Sequence, residues 1–154
     1  MGETFGSKTE KSKESPMIGK TYDQIRVGDS AEFSKTFSKA DVYLYAGISG
    51  DFNPAHVNEA YARKTFFKTR IVHGMLSAGL ISAVIGTQLP GPGSIYMRQT
   101  LSFLAPVHMG DTVTARVEVV EKLEKKKVRL KTTCKNQDAV IVLEGEALVS
   151  PPRR

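Results

Sequence analysis

The sequence predicts an α+β domain in which an antiparallel sheet wraps around a buried central helix. Two observations carry this reading. The segment from Val72 to Ile85 is apolar on every side, with Met75, Leu76, Ala78, Leu80, Ile81, Ala83, Val84 and Ile85 spread around its circumference. A helix with no polar face must be covered all round, and within one domain a sheet can do this. After Leu89-Pro90-Gly91-Pro92-Gly93 stops that helix, the apolar period changes from helical to two. Ser94–Leu104, Thr112–Leu123, Lys127–Lys135 and Ala139–Val149 then read as four long strands. Short turns at 106–111 and 136–138 and a hairpin at 124–127 join them into a meander.

Taken in order, residues 1–16 are polar and rich in Lys, Glu and Ser, which predicts a disordered leader. The folded domain is expected over 17–150, one domain of ordinary size in a chain of 154 residues. Tyr22 to Asp29 reads as an entry segment, and Ser30 to Phe37 alternates as a first strand. Ser38 is placed to cap a helix over Ala40 to Ala46, with Asp41 three positions on completing a capping box, and Gly47 to Gly50 is expected to break it. Pro54 to about Lys64 reads as a second short helix with Val57, Ala60 and Tyr61 inward.

Composition excludes several classes of function. The net charge is +6, yet Lys and Arg are scattered and no nucleic-acid-binding motif is present, so a mild field attracting a small polyanion is expected rather than nucleic acid binding. The single cysteine, Cys134, rules out an internal disulfide framework and a cysteine-rich zinc site. It reads as a strand residue in a reducing compartment. No run of about 18 apolar residues exists to span a membrane. No secretory signal is evident, so a cytoplasmic location is expected.

The stretch with chemistry in it is Tyr45 to Ala62, YAGISGDFNPAHVNEAYA. Asp51 stands five residues before His56, with Asn53 and Pro54 between them as a helix cap and first helical residue. This spacing sets a carboxylate on the loop entering a helix and an imidazole in its first turn. There the helix dipole favours neutral histidine while the carboxylate pulls the other way. Such a pair can take a proton from water and return one to carbon near neutral pH. An ordinary turn with a partly exposed histidine has the same spacing. Asp51, His56 and His73 also imitate a metal set, but their spacing matches no ligand pattern, and no metal is expected.

These residues, together with Ile71-Val72-His73-Gly74-Met75-Leu76, Leu89-Pro90-Gly91, Gly93-Ser94-Ile95-Tyr96, Ser102-Phe103, Pro106-Val107 and Gly110-Asp111, resemble the MaoC-like branch of the hot dog fold. The likeness is to its short R-specific enoyl-CoA hydratases and covers roughly residues 25 to 149. It implies a single hot dog domain and a homodimer whose sheets join edge to edge. It also implies reversible syn addition of water to a trans-2-enoyl thioester, with coenzyme A carried by the substrate and no cofactor held by the protein. The catalytic pair would be Asp51 and His56, and the oxyanion donor the backbone N–H of Gly74. Ser82 and Asn53 would support the pair, although back-bonding to a helix carbonyl accounts equally for Ser82 and capping for Asn53. His73 is expected to order the loop. Arg63, Lys64, Lys68 and Arg70 are the cations nearest the motif for CoA phosphates. Leu80, Ile81, Val84 and Ile85 with Phe66, Phe67 and Phe103 are candidates for an acyl tunnel.

Three alternatives remain at the level of sequence. A dehydratase acting on acyl carrier protein shares the chemistry. A thioesterase shares the fold but leaves the Asp51–His56 spacing incidental. A non-catalytic acyl-CoA-binding protein needs the tunnel but no acid–base pair.

Overall fold

The computed structural model describes residues 18–153, so the expected leader at 1–16 lies outside the described residues. Five strands form one antiparallel sheet: β1 (Ser30–Thr36), β2 (Ile95–Phe103), β3 (Thr112–Leu123), β4 (Lys127–Lys135) and β5 (Ile141–Ser150), in the order β1-β3-β4-β5-β2. The period-two pattern decides which face is covered. Val113, Ala115, Val117 and Val119 of β3 are fully buried, as are Val128, Leu130, Thr132 and Cys134 of β4. Their alternating neighbours face outward, as the pleat requires.

Helix α4 (Gly74–Thr87) lies against this covered face, with Leu80, Ile81, Val84 and Ile85 in the same hydrophobic cluster as the inward strand residues. The expectation of a helix buried all round is corrected here. Met75, Gly79, Ser82 and Gly86 form an exposed stripe along α4. A single sheet of five strands curves around one side of a helix and leaves the other open, which sequence periodicity cannot reveal.

Two further corrections concern the segments before α4. Helix α1 (Lys39–Ser49) continues through Gly47 and ends at Gly50, whose φ of 78° lies in the left-handed region. A glycine inside a helix costs about 1 kcal/mol, too little to stop one that is capped at both ends. Its N-terminal box is formed as expected, Ser38 Oγ accepting from the Asp41 N–H at 3.2 Å and the Asp41 carboxylate accepting from the Ser38 N–H at 2.8 Å. The second short helix is instead two single turns, α2 (Pro54–Val57) and α3 (Glu59–Ala62). Asn58 between them has extended backbone, and its side chain accepts from the Tyr61 N–H to start the second turn. The inward residues are therefore Ala55, His56 and Ala62, while Ala60 and Tyr61 are exposed and Val57 is half-buried.

Candidate active site

A chain of local hydrogen bonds builds the site. After Gly50 turns the chain out of α1, the Asp51 carboxylate accepts from the Asn53 N–H at 3.1 Å. The Asn53 side chain in turn accepts from the Ala55 N–H at 3.1 Å, starting α2 one residue before His56. The strap of residues 69–73 then closes over this turn. Ile71 donates its N–H to the Ala55 carbonyl at 3.2 Å and receives His56 Nδ1–H on its own carbonyl at 2.8 Å. His73, at the N-cap of α4, donates Nε2–H to the Asp51 carbonyl at 3.0 Å. The loop that carries Asp51 is thus tied to the start of the central helix, the ordering role expected of His73.

These ties bring the three residues together. A carboxylate oxygen of Asp51, a ring nitrogen of His56 and a ring nitrogen of His73 all lie within 4.8 Å of one another. The His56 and His73 rings are stacked, with centroids 3.8 Å apart and planes at 28°. Nitrogens of nearly parallel rings point along their own planes rather than to a common centre. One nitrogen of each ring is moreover committed to a carbonyl. The arrangement is shaped for proton handling around one water, which spans a gap of this size.

Electrostatics set the state of His56. Because a carbonyl can only accept, the bond to Ile71 places the proton on Nδ1 and leaves Nε2 of the neutral ring as a free base. Burial is the largest influence and pushes the imidazole below its ordinary value of 6.5, while the Ile71 carbonyl opposes and the His73 ring assists. The Asp51 carboxylate opposes as well, as the smallest of the four influences. The dipole of α2, invoked from sequence, is not the cause, because four residues make almost no macrodipole.

Beside the triad opens a cavity of about 640 Å³, lined by Asp51, His73 and Gly74 at its polar end and by Phe66, Phe67, Phe103, Val107 and Leu143 elsewhere. The N–H of Gly74, first in α4, has no acceptor among the described residues. A Cβ at Gly74 would lie 2.7 Å from the Phe103 ring, so the absence of a side chain keeps that N–H open to the cavity. Of the residues expected to form a tunnel wall, Phe66, Phe67 and Phe103 line this cavity, whereas Leu80, Ile81, Val84 and Ile85 pack into the core.

The match to known proteins falls over this same framework. The MaoC like domain matches residues 22–141, which include β1 to β4 in full, the first residue of β5, and Asp51, His56, His73 and Gly74. The chain belongs to the MaoC-like domain family. Among relatives, the (R)-specific enoyl-CoA hydratase of Rhodospirillum rubrum is 58% identical over 134 residues, covering 86% of this chain and 92% of the relative. The 3-hydroxybutyryl-CoA dehydratase of Methylorubrum extorquens is 49% identical, covering 86% and 85%. The unliganded R-hydratase of Pseudomonas aeruginosa superposes with a TM-score of 0.84 at 47% identity, covering 88% of each chain. The architecture of this MaoC-like domain is accordingly the hot dog fold.

Within the MaoC-like domain, the remaining sequence candidates divide. Asn53 caps α2 and so fixes the spacing of Asp51 and His56. Ser82 lies on the exposed stripe of α4 and does not line the cavity of the single chain. Arg70 is committed to Glu59 at 3.1 Å and to the Tyr43 hydroxyl at 2.6 Å, and Arg63 reaches Glu59 at 3.4 Å. Lys64 and Lys68 are exposed and make no ion pair among the described residues. Sequence reasoning missed Ser77, a buried cavity residue one turn into α4. Its only signal was a hydroxyl at helical spacing from His73.

Proposed function

We propose that this protein is an R-specific enoyl-CoA hydratase, catalysing reversible syn hydration of a trans-2-enoyl-CoA to an R-3-hydroxyacyl-CoA. The observation that carries this reading is the convergence of the Asp51 carboxylate with the His56 ring, where Asp51 and Gly74 with its open N–H line a largely apolar cavity. A water held between Asp51 and His56 loses a proton to the pair as its oxygen bonds to C3. Electron density moves from the C2–C3 double bond onto the thioester oxygen, to which the Gly74 N–H donates a hydrogen bond as the charge develops. Such a donor contributes about 3 kcal/mol. The pair then returns a proton to C2 from the same face, which makes the addition syn. Asp51 and His56 act as one coupled unit in these two transfers. Phe66, Phe67 and Phe103 suit an acyl chain, and coenzyme A arrives with the substrate.

The protein works as a homodimer in this reading. Strand β2 is an edge strand with Ile95, Tyr96, Met97 and Phe103 exposed, and the exposed stripe of α4 is made of small residues and Met75. Long apolar edges are what monomeric proteins avoid. Pairing β2 with its copy joins the sheets edge to edge.

The test is loss of enoyl-thioester absorbance with crotonyl-CoA for wild type, Asp51→Asn and His56→Ala, with chiral analysis of the product. Formation of R-3-hydroxybutyryl-CoA that either substitution abolishes is the expected result. A wild type inert on crotonyl-CoA and longer enoyl-CoA esters, yet able to bind them, overturns the proposal in favour of acyl-CoA binding alone.

A further inference from the structure

Two polar side-chain atoms that line the cavity region are buried without any hydrogen-bond partner among the described residues: His73 Nδ1 and Ser77 Oγ. Both residues are almost wholly buried, at 1% and 2% exposed. A buried polar atom left unpaired is costly, and two in one place point to an unmet partnership. They are chemically complementary. His73 donates through Nε2 to the Asp51 carbonyl, so Nδ1 of the neutral ring is an acceptor, while the Ser77 hydroxyl is a donor free to rotate. They also share one helical turn. Ser77 donates its backbone N–H to the His73 carbonyl at 3.2 Å, which closes the first turn of α4 between the two residues.

We propose that Ser77 is a positioning residue of this site: in the working enzyme its hydroxyl hydrogen-bonds His73 Nδ1. That bond holds His73 in the tautomer that keeps Nε2–H on the Asp51 carbonyl. The consequence reaches the reacting atoms in two ways. The Asp51 loop is held at its distance from His56 by the His73 bond, and the His56 ring stacks directly on the His73 ring. A His73 that flips its tautomer loses the proton that the Asp51 carbonyl accepts and sets a lone pair against that oxygen. Ser77 itself touches no substrate in this account. The inference rests on the hydratase reading for its catalytic consequence, but the Ser77–His73 bond can be read without any substrate.

The experiment pairs kinetics with imidazole ¹⁵N chemical shifts on wild type and Ser77→Ala. In wild type the His73 signals are expected to be those of a protonated Nε2 and an unprotonated Nδ1 that accepts a hydrogen bond. A Nδ1 that is protonated, or unprotonated with the shift of a free lone pair, overturns the proposal without recourse to a variant. In Ser77→Ala, kcat with crotonyl-CoA is expected to fall about tenfold, the rate equivalent of one net hydrogen bond, with KM within about twofold. The His73 shifts are expected to move with it. A folded Ser77→Ala with unchanged kcat, or with a lowered kcat but unmoved His73 shifts, also overturns it. An inert wild type in which the Ser77–His73 bond is nevertheless seen counts against the hydratase reading, not against the bond.

Discussion

At position 56 a single imidazole meets four influences, and their order decides its chemistry. Burial outweighs the Ile71 carbonyl and the Asp51 carboxylate, so the ring stays neutral below pH 6.5 and keeps a free Nε2. For a base that must be neutral, kcat/KM is expected to hold steady as pH falls from 8 through 6.5 and to drop only below that value, as a pH–rate profile would reveal. The same shift carries a stability consequence whose sign is fixed. Below pH 6.5 the unfolded chain takes up a proton that folded His56 refuses, so stability declines as pH falls toward the lowered value. Melting temperatures of wild type and His56→Gln across that range are expected to converge as pH drops. Asp51→Asn and His56→Ala are each expected to reduce turnover by at least about 10²-fold. Because the proposed mechanism has the two act on one water, the double variant is expected to be little worse than either single one in steady-state assays.

At the scale of elements, two glycines act through what a Cβ would meet. A Cβ at Gly145 of β5 would stand 1.8 Å from the Thr100 carbonyl oxygen on β2, which is backbone and cannot swing aside. Gly145→Ala is therefore expected to separate β5 from β2 and cost about 1–3 kcal/mol or more, measured by denaturant unfolding. A Cβ at Gly74 would instead meet the ring of Phe103, a side chain 55% exposed and able to move. Gly74→Ala is expected to fold with little change in melting temperature. Its kcat/KM is expected to fall about 10²-fold, because the displaced ring crowds the N–H proposed to meet the thioester oxygen. Much of this scale was legible in advance. The bounds of β3 and β4 follow from alternation alone, and the Ser38–Asp41 cap from its spacing. The split of α2 from α3 was missed although its cue is local: Asn58 is an Asx cap that accepts from the Tyr61 N–H three residues on.

At the scale of the molecule, the open side of α4 and the free edge of β2 place a substantial apolar surface outside the single chain. Among the described residues, no helix is long and apolar enough to cross a membrane. In the dimer proposed above, pairing of the β2 edges covers the apolar residues of β2. Ser82→Arg, which puts a long charged side chain on the small-residue stripe, is expected to shift sedimentation velocity from dimer to monomer. A wild type that sediments as a monomer at micromolar concentration counts against this assembly. Cys134 stays out of the chemistry at this scale, because burial among the core residues pushes its thiol up to about 12.

The sequence by itself determined the α+β class, the central helix, the strands and the Asp51–Asn53–Pro54–His56 motif, because each rests on local periodicity or local capping. Tertiary structure alone decided that His56 is buried with its Nδ1 on a carbonyl, since the Ile71 that supplies it lies fifteen residues away. It also decided which face of α4 is covered and which residues line the cavity. Leu80 and Ile81 look no different in sequence from a tunnel wall, yet the curvature of the sheet takes them into the core. Ser77 acquires its buried place only because β4 and α4 close around it, with Cys134 Sγ 4.0 Å from its carbonyl oxygen.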